Sequence, residues 1–338
     1  MHPADGAVDA GELRSVYLGA AGMVWALHHL AGAGVHEPGR DWAAVAARLA
    51  AEAGGLPPSL LLGRTGILLV SWLLTPSAET ADLLALEIAA NVGNETNELL
   101  WGSPGTMLAA GTLFERHGED RFGELWSRSA AQLLDVRDAD GCWTQDLYGQ
   151  TTRYFGAGHG FAGCALALLQ RPDLLDDGGE FARSAARIAV EQAIGTSETA
   201  NWPPYAGGEL QVGEQTIRVQ WCHGAPGIVT SLVAAEPGNE ELTRVLTAGG
   251  ELTWRAGPLA KGLGLCHGTA GNGLAFLALL HRTGDERWLE RARAFAMHAA
   301  AQADGSRHTL WTGDIGAALL LERCLEGRWD GFPALDAW

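Results

Sequence analysis

A Gly-x-x-Gly motif running directly into an apolar stretch recurs seven times along this chain. The copies are YLGAAGMVWAL (Gly19, Gly22), LLGRTGILLVSWLL (Gly63, Gly66), LWGSPGTMLAA (Gly102, Gly105), GHGFAGCALALL (Gly160, Gly163), CHGAPGIVTSLV (Gly224, Gly227), CHGTAGNGLAFLALL (Gly268, Gly271) and WTGDIGAALLL (Gly313, Gly316). Their first glycines are 44, 39, 58, 64, 44 and 45 residues apart. One such motif arises by chance; seven at this spacing define a repeat architecture.

Between the copies lie amphipathic helix patterns with charges on one face, beginning at residues 42, 79, 119, 180, 241 and 285. Strand signals are nearly absent. Segments after each motif are apolar almost all round, as buried helices must be, whereas the intervening ones are half polar. The pattern predicts an all-α fold of two concentric helix rings, seven inner and about seven outer, forming a single domain over residues 1–338. Glycine at each inner helix start lets backbones crowd together at one end of the ring. Seven helix N-termini, with their unpaired N–H groups, then face a common mouth suited to an anionic nucleophile or an oxyanion. Longer spacers precede copies four and five, and the second, SETANWPPYAGGELQVGEQTIRVQ, suits a short hairpin.

Composition narrows the function. With 23 Lys plus Arg against 40 Asp plus Glu, a net charge of −17, the surface repels nucleic acid and anionic membranes. The N-terminal stretch lacks the apolar core of a secretory signal and no uncharged apolar run would span a bilayer, so a cytoplasmic location is expected. Five cysteines are too few for a disulfide scaffold and are expected to be reduced.

Aligning the copies on the first glycine sorts the reactive residues into two columns. Two places before it stand Tyr17, Leu61, Leu100, Gly158, Cys222, Cys266 and Trp311. One place before it stand Leu18, Leu62, Trp101, His159, His223, His267 and Thr312. Equivalent copies would bring the two cysteines and three histidines together at the mouth. Thiolate and imidazole are the ligands zinc prefers, so Cys222 and Cys266 with one or two of the histidines are read as a Zn2+ site. Cys142, Cys164 and Cys324 lack this register and read as buried structural residues. If both His223 and His267 ligate, the site is closed and structural; if only one does, a fourth position stays open for substrate. Two thiolates already neutralise the metal charge, so an entering thiolate would stay nucleophilic while its pKa is lowered.

WCHGAPG (221–227), KGLGLCHGTAGNG (261–273), YFGAGHGFAG (154–163) and ELLWGSPG (98–105) resemble the signature motifs of the lanthionine synthetase C-like family, over about residues 15–325. The resemblance implies a double-layered α/α toroid with zinc on Cys222, Cys266 and His267. It implies addition of a cysteine thiol to dehydroalanine or dehydrobutyrine, forming a thioether. His159 matches the family's acid/base histidine, and Arg218 an active-site arginine of the bacterial cyclases, whose fixed charge would support an enolate. Glu98 lies where bacterial cyclases carry aspartate and the eukaryotic branch glutamate. His223 replaces a tyrosine of several bacterial cyclases and is expected to contact substrate. Lys261 and the GLCHGTAGNG wording lean toward the eukaryotic branch, associated with glutathione. The expected partners are a dehydrated peptide or protein, a small thiol such as glutathione, and a separate dehydratase.

Plainer roles compete. Arg218 suits a solvated loop charge, Glu98 a helix-start cap, and Lys261 a surface lysine. Trp101, Trp221 and Trp311 read as core rather than as a substrate platform. Glycosidases and prenyltransferases also use helical toroids, but the first need paired carboxylates and the second an aspartate ligand, and neither column holds Asp or Glu. A non-catalytic thiol binder or scaffold would keep the zinc ligands and have no use for His159 as a proton donor.

Overall fold

The computed structural model describes residues 12–37, 39–207, 218–305 and 307–338. Thirteen α-helices carry the fold among them. Seven follow the glycine motifs: α1 (Ala20–Gly32), α3 (Arg64–Leu74), α5 (Ser103–His117), α7 (Phe161–Leu169), α9 (Ala225–Leu232), α11 (Thr269–Thr283) and α13 (Ile315–Glu326). Six alternate with them: α2 (Trp42–Ala51), α4 (Ala78–Asn91), α6 (Asp120–Asp135), α8 (Gly178–Glu191), α10 (Glu240–Ala256) and α12 (Arg287–Gln302).

The two sets begin differently. Four of the alternating helices start on side-chain caps, with Asp41, Ser77, Asp177 and Asn239 accepting from the backbone N–H three residues on. Every helix from α1 to α11 that follows a motif instead has the first glycine at its N-cap and no side-chain cap. Burial follows the same division. Residues 103–113 of α5 and 269–279 of α11 are buried without a break, whereas α6 and α8 bury one stripe.

The order of packing is cyclic. Helix α1 lies against α3, α3 against α5, α5 against α7, α7 against α9, α9 against α11, α11 against α13, and α13 returns to α1. Helices α2, α4, α8, α10 and α12 each lie against the two motif helices that flank them in sequence.

The second glycine of each motif makes this contact close. A Cβ on Gly227 would sit 1.9 Å from the Trp221 carbonyl oxygen and 2.8 Å from Ala157 Cβ of the preceding copy. On Gly271 it would sit 1.9 Å from the Leu265 carbonyl oxygen and 3.2 Å from Trp221 Cβ. The same two neighbours recur around the chain, and Gly22 of the first copy meets Leu310 of the seventh. The glycines therefore serve two contacts: the turn of their own copy, which motif spacing alone does not reveal, and the expected crowding between copies.

About seven outer helices were expected, and six are found among the described residues. Residues 327–338 carry Gly327 and Gly331 at positive φ together with Pro333, which leaves no run for a helix. This segment instead turns inward and stacks the buried Phe332 on Trp221 and Trp311, with centroids 4.8 and 5.6 Å away. Arg323, itself buried, holds the turn by donating to the Gly331 carbonyl and pairing with Asp330 at 2.8 Å.

Two antiparallel hairpins depart from the helical plan, and both lie in the long spacers. Strands β1 (Gln145–Leu147) and β2 (Gln150–Thr152) pair across Tyr148-Gly149, and β3 (Ile194–Gly195) pairs with β4 (Ala200–Asn201). Of the spacer 197–220, in which a hairpin was expected, β4 pairs with the strand just before it, and residues 208–217 lie outside the described residues. No described helix is long and apolar enough to cross a membrane.

Candidate metal centre and its surroundings

Backbone hydrogen bonds link the reactive column from copy to copy. Gly158 N–H donates to the Cys222 carbonyl at 3.3 Å, Cys222 N–H to Cys266 at 3.1 Å, and Cys266 N–H to Trp311 at 2.9 Å. Residues with the same register number are thus neighbours in space, because each copy's pre-helix turn is pinned to the next.

The two cysteines meet as a result. Cys222 Sγ, Cys266 Sγ and a ring nitrogen of His267 all lie within 4.8 Å of one another. Zinc bonds of roughly 2.0–2.3 Å in a tetrahedron separate such donors by about 3.3–3.8 Å, within the bound that the three donors obey here. It is the one group of three such side chains among the described residues, and His223 is outside it. The donors are two sulfurs and one imidazole, which favours zinc over harder cations.

The thiols divide into two kinds. Cys222 is held well below its ordinary range, chiefly by the hydrogen bond with Cys266, against burial and with help from His267 and His223. Burial pushes Cys142 and Cys324 up to about 12, and raises Cys164 as well. Burial thus disfavours the thiolate, the form that attacks or ligates, at the cysteines outside the register.

Beside the sulfurs stands a buried acid–imidazole pair. His159 Nδ1 is 2.9 Å from Glu98 Oε2, and Glu98 is 0 % exposed. The Glu98 carboxylate also accepts from the backbone N–H of Leu100 at 2.9 Å and of Trp101 at 2.5 Å. Glu98 thus caps the turn ahead of α5, as its plainer reading expected, and also holds the histidine, which no sequence reading had given it. A carboxylate only accepts, so Nδ1 carries the hydrogen and Nε2 is the nitrogen that can exchange a proton.

The His159 and His223 rings are 6.0 Å apart, and Tyr154 lies 5.9 Å from the first and 5.5 Å from the second. Tyr205 stacks on Tyr154 at 5.1 Å. Tyr148, at the tip of the first hairpin, meets His159 edge-on at 5.9 Å and accepts from Trp101 Nε1 at 3.3 Å. Burial raises the Tyr148 phenol, with Glu98 and Cys266 adding to the effect, so it stays protonated.

Arg218 is exposed at the edge of the described chain, and its carbonyl accepts from Asn201 Nδ2 at 3.2 Å. Trp221 and Trp311 are core, 4.9 Å apart and buried, whereas Trp101 belongs to the site through Tyr148. Sequence reasoning missed the three tyrosines and Gln220, whose Nε2 lies 3.0 Å from Cys222 Sγ. The tyrosines sit in the spacers, outside the repeat register. Gln220 stands two places before Cys222, which is a legible signal.

A family model, "Lanthionine synthetase C-like protein", matches residues 10–335. Among curated relatives, Glutathione S-transferase LANCL1 of Danio rerio is 36 % identical over 54 % of this chain and 46 % of its own length. LanC-like protein GCL1 of Arabidopsis thaliana is 34 % identical over 45 % of this chain and 34 % of its own. The matches thus span less than half the length of either relative. Nisin cyclase has a similar fold, with a TM-score of 0.71 over 97 % of this chain and 91 % of that one at 15 % identity. Matched almost from end to end by the family model, the chain belongs to the lanthionine synthetase C-like proteins.

Proposed function

We propose that this protein is a zinc-dependent enzyme that adds a thiol to a dehydroalanine or dehydrobutyrine residue, forming a thioether. The observation that carries this reading is the Cys222, Cys266 and His267 set, with His223 outside it, standing beside the His159–Glu98 pair. We read the cyclic helix packing as a double-layered α/α toroid acting as one domain, with the site at its mouth.

Zinc, held by those three residues, would supply a Lewis acid that keeps an entering sulfur as thiolate at neutral pH. The chain's own residues supply the rest. As the C–S bond forms, only the π bond of the acceptor's C=C breaks, and the electron pair left on the α-carbon takes up a proton in place of the one the thiol released; we assign its delivery to His159 Nε2. Glu98 fixes the tautomer that makes this delivery possible. His223 and Tyr154, whose rings lie 6.0 and 5.9 Å from that of His159, are assigned to holding the acceptor. Arg218 is assigned the role of supporting enolate charge.

The thiol can come from the acceptor peptide itself, giving a lanthionine ring, or from glutathione or another small thiol. Likeness to a relative named as a glutathione S-transferase favours the second source, and the cyclase fold alone is neutral between them. Zinc-loaded protein is to be incubated with dehydroalanine peptides, with and without an internal cysteine, in the presence and absence of glutathione. Mass spectrometry after alkylation should show either loss of the free thiol or a glutathione adduct. Neither product rising above the uncatalysed rate would overturn the proposal, and Cys222→Ala and Cys266→Ala should abolish both zinc and product.

A further inference from the structure

Lys261 is the only lysine in a chain whose other 22 cationic side chains are arginine. Its Nζ lies 3.3 Å from Gln220 Oε1, and Gln220 Nε2 lies 3.0 Å from Cys222 Sγ. An ammonium group has donors and no acceptor, so the amide oxygen must face the lysine and the NH2 must face the sulfur. Gln220 is 6 % exposed, and its own N–H donates to the His223 carbonyl at 3.2 Å. Both ends of the residue are therefore held, and the amide has one orientation.

From this arrangement we infer that Gln220 is a positioning residue that donates a hydrogen bond to the Cys222 thiolate under the control of Lys261, tuning the metal centre on which the proposed thiol addition rests. A hydrogen bond to a ligating thiolate draws charge from the sulfur and weakens its donation to the metal. The metal then keeps more positive charge for the sulfur entering the fourth position. Two thiolates without this correction would bind zinc but leave it a poorer acid. The lysine sharpens the effect by polarising the amide, so that its N–H is a stronger donor. An arginine fork in its place would offer a planar, more diffuse charge to a single amide oxygen.

The test uses the full-length protein loaded with cobalt(II), whose sulfur-to-metal charge-transfer absorption reports directly on the thiolate. Gln220→Met conserves volume and removes the donor. It should retain close to one cobalt per chain, move the charge-transfer band to lower energy, and reduce kcat about tenfold or more with little change in KM. Lys261→Met, at an exposed position, should move the band the same way by a smaller amount, and it serves if the core variant does not fold. A cobalt-loaded variant whose band stays at the wild-type position overturns the relay while leaving the metal site intact. Wild-type protein that takes up neither cobalt nor zinc overturns the metal reading and the relay together.

Discussion

Replacing Glu98 by glutamine isolates the charge of a side chain whose every contact is defined. One carboxylate oxygen accepts from Trp101 N–H at 2.5 Å, and the other from Leu100 N–H and His159 Nδ1, both at 2.9 Å. An amide has one oxygen to offer. If its NH2 takes the first place, it faces the Trp101 N–H, donor against donor. If it takes the second, it faces the Leu100 N–H and drives the hydrogen of His159 from Nδ1 to Nε2. Either way a buried backbone N–H loses its acceptor, which costs about 1–3 kcal/mol. Melting should fall by a few degrees while the chain remains folded. In the second placement the proton-delivering nitrogen is in the wrong state, and in the first the protonated imidazole loses the carboxylate charge beside it, so in both turnover should fall by about 10²–10⁴-fold, the usual worth of a general acid. Zinc content should not change, because Glu98 does not touch the three ligands. The assays are metal analysis, thermal melting and single-turnover rates on a dehydroalanine peptide. Wild-type turnover in zinc-replete, destabilised Glu98→Gln would show that the pair is only a cap and that the proton comes from elsewhere.

The three column histidines should separate by zinc content and rate: His267→Ala loses the metal, His159→Ala keeps it and loses about 10²–10⁴-fold in turnover, and His223→Ala keeps it and loses activity in part. Loss of zinc from His223→Ala as complete as from His267→Ala would mean a closed, structural site. A third expectation concerns Asp336, whose carboxyl burial pushes up to about 6 and whose Oδ1 accepts from Phe332 N–H at 2.6 Å. The folded chain then holds an extra proton between roughly pH 4 and 6, so stability declines as pH rises through that window. Asp336→Asn keeps the acceptor and should add on the order of 2–3 kcal/mol above pH 6 and nothing near pH 4. An equal gain at both pH values in denaturant unfolding would rule out the titration.

What could be read without coordinates was whatever obeyed the repeat. The starts of the outer helices came out within a few residues, since a stripe of charge along one helix face is a local signal. The meeting of Cys222 and Cys266 was legible because register equivalence becomes spatial adjacency once each turn is hydrogen-bonded to the next, whereas the choice of His267 over His223 as their partner came only from the family resemblance. Contacts made by the spacers were not. Tyr148 reaches His159 only because a two-residue turn at positive φ brings the hairpin tip over the site, and no period announces that. The inward course of residues 327–338 was equally hidden, since Phe332 finds its partners in copies five and seven. Lys261 read as a surface lysine because an exposed cation carries no local mark of the amide it clamps.

Gly22 resting on Leu310, with α13 packed on α1 and Trp311 stacked on Tyr17, joins the first copy to the seventh, and that junction changes what kind of object the repeats make. An open array of stacked units has two ends, tolerates the loss of a terminal unit, and can fold outward from any nucleus. Here each unit has a neighbour on both sides, so there is no last unit to fray or shed. Removing one copy would leave a gap that the remaining six have to bend to fill. Unfolding is therefore expected to be cooperative around the whole circuit, the two adjacent copies that bring Cys222, Cys266 and His267 together included.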